Sequence, residues 1–418
     1  MTPSAPPDSA RPSATAQVAG QTAGALVVLV VSLFFIWGAA TSLNDILIPK
    51  LKGLFRLSYA ESMLIQFAFF TAYAIVSVPA GALVARLGYG KGIVLGLMVM
   101  AAGCLLFLPA AGLGTYGLFL AALFVLAGGI TILQVAANPL IANLGAPATA
   151  SSRLTLAQAF NSFGTTIAPY IGARLILAPI AAGGTAPAAV IGHAYFGVAV
   201  VLALVALVFW LVRTRLGEAS QAASLADSLA LMRRPRLAFG VAAIFVYVGA
   251  EVTIGSLMVN YLIQPSTLGL DPATAGEHLS FYWGGAMVGR FVGSVILRLG
   301  SPGKILAGAA VGAGALVLVS AFSHGGVAGW TLLSVGLMNA IMFPTIFSLA
   351  LEGLGDKTPE GSGLLCMAIV GGAVIPLISG KMADMVGLSM ALLVPVACYA
   401  VIAGYGWFAR RPAEAAQH

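Results

Sequence analysis

Two carboxylates stand where the chain is otherwise apolar, and each could hold a proton or a polar ligand. Asp45 closes the apolar run 24–47, inside WGAATSLNDILIP (37–49). Glu251 lies in YVGAEVTIG (247–255), about fourteen residues into the run 238–263. At about 1.5 Å per helical residue that is roughly 21 Å along the run. A charge at membrane depth is costly, so it faces a watery pathway or a partner and is functional by default. Asp45 has a second reading, as a surface cap on its helix before Pro49. Glu251 has three: a ligand for substrate, a second proton carrier, or half of an ion pair with Arg290 in the run 276–298.

Amides form the next group. Gln134 and Asn138 are four residues apart in QVAANP (134–139), and Gln158 and Asn161 are three apart in RLTLAQAFNSFG (153–164). Both spacings place the pair on one helix face. Amides donate and accept, so four of them in neighbouring helices suit a ligand covered in hydroxyls. The other reading is glue, since amides also bond across packed membrane helices. The matching stretch of the second half is apolar at Leu364, Leu365, Met367 and Ala368, which favours a lopsided site. Asn44 and Asn339 complete the candidate amides. Trp37 lies two turns before Asp45, and Trp283 is seven residues from Arg290 on the same helix side. An indole face complements the apolar face of a sugar ring. Trp210, Trp330 and Trp407 fall near run ends, where an interfacial aromatic belt accounts for them.

These residues need an apolar scaffold, and composition supplies it. The 418 residues are 60% hydrophobic and 8% charged, with a mean hydropathy of +1.01. Soluble domains do not have this balance. A spanning helix takes roughly 20 apolar residues. Twelve windows qualify: 24–47, 62–85, 92–111, 116–143, 154–180, 194–212, 238–263, 276–298, 304–323, 328–351, 361–386 and 388–409. They are continuous runs rather than alternating ones, so a β-barrel is excluded. The predicted fold class is an all-α membrane protein of twelve transmembrane helices in two pseudo-symmetric six-helix halves. Residues 1–21 read as a disordered tail, 22–213 as the N-terminal half, 214–236 as a linker, 237–411 as the C-terminal half and 412–418 as a short tail. The first 21 residues lack the pattern of a signal peptide.

The net charge of +7 follows topology. With the N-terminus in the cytoplasm, fourteen of the twenty Lys and Arg fall on that side and only Lys50, Lys52 and Arg56 on the other. This positive-inside bias puts both termini in the cytoplasm and makes anionic lipid headgroups, not nucleic acid, the partners of the basic excess. Cys104, Cys366 and Cys398 are scattered within runs, so neither a disulfide framework nor a metal site is expected. No cofactor is expected either. No nucleophile triad, metal spacing or phosphate loop appears, which argues against an enzyme.

The halves share punctuation. GALVARLG (81–88) with Lys91 ends the second run, and GSVILRLG (293–300) with Lys304 ends the eighth. Gln134 precedes Pro139 by five residues and Asn339 precedes Pro344 by five; Pro169 and Pro376 also correspond. Matching interruptions in two halves mark secondary transporters, whose sites lie near the midplane between the repeats. Arg86, Lys91, Arg298 and Lys304 then read either as a gating latch or as plain anchoring of short cytoplasmic loops.

The chain resembles the fucose–proton symporter family of the major facilitator superfamily, and especially its glucose/galactose transporter branch. The carrying motifs are FIWG (35–38), LNDILIP (43–49), QVAANP, RLTLAQAFNSFG, YVGAEVTIG, YWGGAMVGRF (282–291) and MNAIMFPTIFS (338–348). The resemblance implies alternating access and proton-driven sugar uptake across the inner membrane by a monomer. It places the family's coupling acid at Asp45. The family's second acid, a Glu on the fourth helix, falls on Gln134, which cannot titrate; this argues against fucose. Glu251 stands where the fucose member has Gln, and Ala85 where the superfamily's loop motif has an acid. The resulting reading is a hexose–proton symporter. Sodium symport, efflux and a non-transporting sugar sensor are the alternatives.

Overall fold

Continuous apolar runs must satisfy their own backbone polar groups in lipid, and a helix does this within one segment. The computed structural model of the protein describes residues 24–40, 42, 59–172, 187–216 and 225–411. Asn44, Asp45, the two tails and residues 217–224 of the linker lie outside the described residues.

Among the described residues, twelve helices build the body of the molecule. In the first half they are α1 (Gly24–Ala40), α2 (Tyr59–Leu87), α3 (Tyr89–Leu113), α4 (Tyr116–Asn143), α5 (Ala150–Gly172) and α6 (Pro187–Val212). A short helix, Leu225–Ala230, lies on the connection between the halves. The second half has α7 (Pro235–Ile263), α8 (Pro272–Ile296) and α9 (Pro302–Phe322), then α10 (Gly325–Leu351), α11 (Gly355–Val386) and α12 (Leu388–Phe408). No strand occurs among the described residues. Proline at the first position, as in α7 and α9, starts a helix without losing a hydrogen bond. Nine of these helices are apolar and long enough to span; α1 is apolar but shorter over its described residues, and α5 and α8 carry the polar residues discussed below.

Proline also breaks helices here. In α10 the break falls at Ala340–Ile341, between Gly325–Asn339 and Met342–Leu351. Pro344 cannot donate to the carbonyl four residues before it, and its ring crowds that carbonyl. The matching Pro139 sits inside an unbroken α4. The sequence match is therefore not a match of local geometry, and Asn339 alone stands at a break.

The two halves meet through α5 against α8 and α2 against α11. Each contact joins the second helix of one half to the fifth of the other, as a pseudo-two-fold arrangement requires. Arg213 stacks on Trp210 at the end of α6, and Arg410 on Trp407 at the end of α12, at 3.9 and 4.2 Å from the ring centroids. These arginines share one end of the bundle with Arg298 and Arg153, called the basic end below.

At the basic end the halves are sealed by hydrogen bonds. Ser151 and Ser348 hydroxyls lie 2.6 Å apart, and the Ser152 hydroxyl donates to the Ser294 carbonyl at 2.6 Å. Arg298 Nε donates to Ser152 Oγ at 3.0 Å, and Ser362 donates to the Val135 carbonyl at 2.8 Å. Of the four predicted latch residues, Arg298 makes this bond across the halves; Arg86, Lys91 and Lys304 are exposed.

Candidate functional site

About ten residues above that seal, α5 turns a polar face toward α8 and α7. Asn161, Ser162, Thr165 and Thr166 line this side of α5: Asn161 with Thr165 and Ser162 with Thr166 are each four residues apart and stack one turn above the other. With Ser42, Glu251, Trp283 and Arg290 they line a cavity of about 550 Å³ between the halves. Along α8 the wall rises from Arg290 to Gly276, near the helix start, so the cavity extends away from the basic end. Trp283 and Arg290 share the wall, as their spacing of two turns requires. Trp283 is 44% exposed and lines the cavity, so part of its surface can meet a ligand.

Asn161 is placed by two glycines. A Cβ on Gly38 would fall 2.2 Å from the Asn161 carbonyl oxygen, and one on Gly164 2.2 Å from that of Phe35. Only glycine allows α1 and α5 to approach so closely. The approach lets Asn161 Nδ2 donate to the Phe34 carbonyl at 3.0 Å, which fixes the amide at the cavity wall.

Glu251 is held from two sides. Tyr247, one turn earlier, donates its hydroxyl to Glu251 Oε1 at 2.8 Å and also lies 3.2 Å from the Asn339 carbonyl. Arg290 Nη2 stands 3.9 Å from the same Oε1. Arg290 Nη1 donates to the Ser162 hydroxyl, and its Nε is buried without a hydrogen bond. One guanidinium thus links the carboxylate of α7 to the polar face of α5, across the two halves.

The other predicted residues lie behind the wall. Asn339 is fully buried: its Nδ2 donates to Tyr282 at 2.8 Å and its Oδ1 accepts from Tyr399 at 2.8 Å. Both amide atoms are committed, so Asn339 is a hub of the second half and braces Tyr247 and Tyr282 around Glu251. Gln158 reaches Asn138 Oδ1 at 3.5 Å, and Gln134 donates to the Tyr73 hydroxyl. All three amides are buried. Trp37 is buried against Phe34, ring centroids 5.2 Å apart. The structure thus brings Asn161, Glu251 and Trp283 together at the cavity and leaves Gln134, Asn138, Gln158, Asn339 and Trp37 outside its lining. Sequence reasoning gave no role to Ser162, Thr165, Thr166 or Tyr247. Their spacing from Asn161 and Glu251 was the available signal, but hydroxyls are common in membrane helices and drew no attention. Among the described residues no cluster of His, Cys, Asp and Glu could hold a metal ion.

Comparison with known proteins fits this arrangement. The family profile described as Major Facilitator Superfamily matches residues 26–369. The chain is 53% identical over 376 residues to a glucose/galactose transporter of Brucella abortus biovar 1 (strain 9-941), covering 90% of this chain and 91% of the relative. It is 35% identical over 409 residues to the L-fucose-proton symporter of Escherichia coli (strain K12), covering 92% and 93%. The crystal structure of the major facilitator superfamily transporter FucP in the outward conformation superimposes with a TM-score of 0.83 at 34% identity, covering 93% of this chain and 99% of that one.

Proposed function

The chain belongs to the major facilitator superfamily, and from that premise we propose that it imports a hexose of the glucose/galactose kind together with a proton, by alternating access. The observation that carries the reading is the cavity between the halves. It offers an amide, five hydroxyls (Ser42, Ser162, Thr165, Thr166 and Ser280), a carboxylate and a guanidinium beside a half-exposed indole. Ligand pockets are commonly about 300–1,000 Å³ with a few convergent polar groups, and this one falls within that range. A sugar ring has hydroxyls at its edge and C–H groups on its face. The α5 face and Glu251 suit the edge, and Trp283 suits the face. Relatives named for glucose/galactose and for fucose-proton symport support the substrate class.

In this reading the basic end faces the cytoplasm, both termini lie there, and the protein works as a monomer in the cytoplasmic membrane. Sugar enters from the side of Gly276 while the serine seal holds the cytoplasmic side shut. Asn161 and Glu251 hold hydroxyls from opposite halves, so bound sugar favours their approach. Asp45 carries the coupled proton, on the sequence grounds given above. Gln134, Asn138 and Gln158 form a polar pad behind the site.

The test is uptake into proteoliposomes with a panel of labelled sugars under an imposed proton or sodium gradient. Glucose or galactose should accumulate only when protons run inward. Accumulation on a sodium gradient alone would reassign the ion. Outward pumping of a non-sugar, or sugar binding with no accumulation or exchange, would replace symport by efflux or by sensing.

A further inference from the structure

Away from the central cavity, one carboxylate is enclosed without a hydrogen bond from its neighbours. Glu360 is 1% exposed, and neither of its carboxylate oxygens accepts a hydrogen bond from a neighbouring residue. It stands near the start of α11, where that helix meets α2 at the basic end. A Cβ on Gly81 of α2 would lie 2.9 Å from the Pro359 carbonyl oxygen and 3.2 Å from Glu360 Cα, and one on Gly363 would lie 2.6 Å from the Ser77 carbonyl oxygen. Glu360 therefore sits in the seam between the halves, and the seam must part if the basic end is to open.

The charged groups around it do not neutralise it. Lys357, in the turn that opens α11, holds Nζ 3.9 Å from Oε1. Asp356 of the same turn and Asp227 of the helix Leu225–Ala230, which packs on both α2 and α11, act on it with like charge. Tyr89 at the start of α3 adds a phenol. The α2 cation, Arg86, is exposed. On the α7 and α10 side, Arg236 and Glu352 satisfy each other, and α4 carries no charged residue. A desolvated carboxylate with one partial counter-ion and no hydrogen bond from a neighbouring residue is costly to keep charged, and its place in the first turn of α11 with its own backbone N–H offsets only part of that cost.

The repeat sharpens the point. Arg153 and Glu360 each stand sixteen residues before the matched prolines of their halves, Pro169 and Pro376. Arg153 is fully used: it donates to the Ile141 and Ala146 carbonyls at 3.2 and 2.9 Å, to the Ala142 carbonyl and to Thr149. Glu360, at the equivalent place, has no such partners. Its burial supplies the second half with no matching brace.

We propose that Glu360 is a proton-binding site that sets the balance between the closed and open basic end. The seam closes over the carboxyl with a proton on it. Opening wets the carboxyl, and the proton passes to water on that same side. Proton uptake and release use one side only, so the site adds nothing to the ion stoichiometry of transport. The open state binds fewer protons than the closed one, so raising the pH at the basic end favours opening and acid favours closure. The proposal rests on the alternating-access reading.

The experiment places spin labels on the full-length protein in liposomes at Ala148→Cys and Leu299→Cys. Both positions are exposed at the basic end, on the α4–α5 and α8–α9 connections of opposite halves; the native cysteines are buried. Distances are measured with and without sugar from about pH 5 to about pH 8, and without sugar the open-to-closed ratio should rise about tenfold or more. Glu360→Gln, a neutral isostere, should stay at the closed distance throughout. Glu360→Asp should keep a pH response, and thermal melts check that each variant folds. A parental pH response in Glu360→Gln, or an open population at every pH, overturns the proposal. A parent whose distance responds to sugar but not to pH refutes the role of Glu360 alone. A parent that responds to neither refutes alternating access as well.

Discussion

Replacing Glu251 by Gln removes one charge and little volume, so its effects can be worked out from the geometry. Arg290 Nη2 is 3.9 Å from Oε1, and the two side chains are only 15% and 14% exposed. At an effective dielectric of about 20, the attraction between unit charges at that distance is about 4 kcal/mol. Breaking a fully buried pair costs roughly 3–5 kcal/mol, mostly through the charge left alone. Here the cost is lower. The amide still accepts from Tyr247, Arg290 still donates to Ser162, and both side chains line the cavity and are partly exposed. We expect a loss of about 2–3 kcal/mol in denaturation free energy in micelles, by comparison with fully buried pairs. Neutralising Arg290 as well should recover much of it.

Sugar binding gives the second readout. A hydrogen bond to a charged acceptor contributes about 1.5–3 kcal/mol and one to a neutral acceptor about 0.5–1.5. The difference, about 1–1.5 kcal/mol, weakens binding about five- to tenfold. Titration calorimetry with the transported hexose measures it, and the pH profile of uptake should keep its shape. A parental dissociation constant would refute the ligand role. With it, a large stability loss would leave Glu251 as a structural partner of Arg290, and an altered pH profile would make it a proton carrier.

Three further outcomes are expected. Asp45→Asn should abolish accumulation against a gradient while sugar exchange persists, as counterflow assays would reveal; wild-type accumulation would remove Asp45 from coupling. Asn161→Ala should weaken sugar binding by roughly tenfold or more, since losing a partner for a substrate hydroxyl costs about 1–3 kcal/mol, whereas Asn339→Ala should chiefly lower stability, by about 2 kcal/mol or more, because it leaves Tyr282 and Tyr399 without their shared amide. Equal effects of the two variants on affinity would contradict the separation of wall from hub. Ser151→Cys with Ser348→Cys should cross-link under mild oxidation and stop transport reversibly, because the two hydroxyls touch in the closed seal; full activity of the cross-linked protein would mean that the seal never parts.

Length, composition and the order of motifs by themselves determined the twelve helices, the six-plus-six division and the family. Each of those depends on runs of about 20 apolar residues and on punctuation that survives in a linear string. The sequence also marked Asn161, Glu251, Trp283 and Arg290 as polar or aromatic residues out of place in lipid. It could not say which of them share a cavity. Helical periodicity tells which residues lie on one face, not which neighbour that face meets. Gln158 and Asn161 illustrate this: three residues apart, they fall on either side of the contact between α5 and its neighbours. Gln158 is enclosed beside Asn138, and Asn161 reaches the cavity wall. Asn339 looked like a ligand until the break before Pro344 and the two tyrosines around it used both of its amide atoms. Glu360 passed unnoticed because an acid at the edge of an apolar run reads as a surface residue. Only the approach of α2 to α11, set by the packing of one half on the other, encloses it.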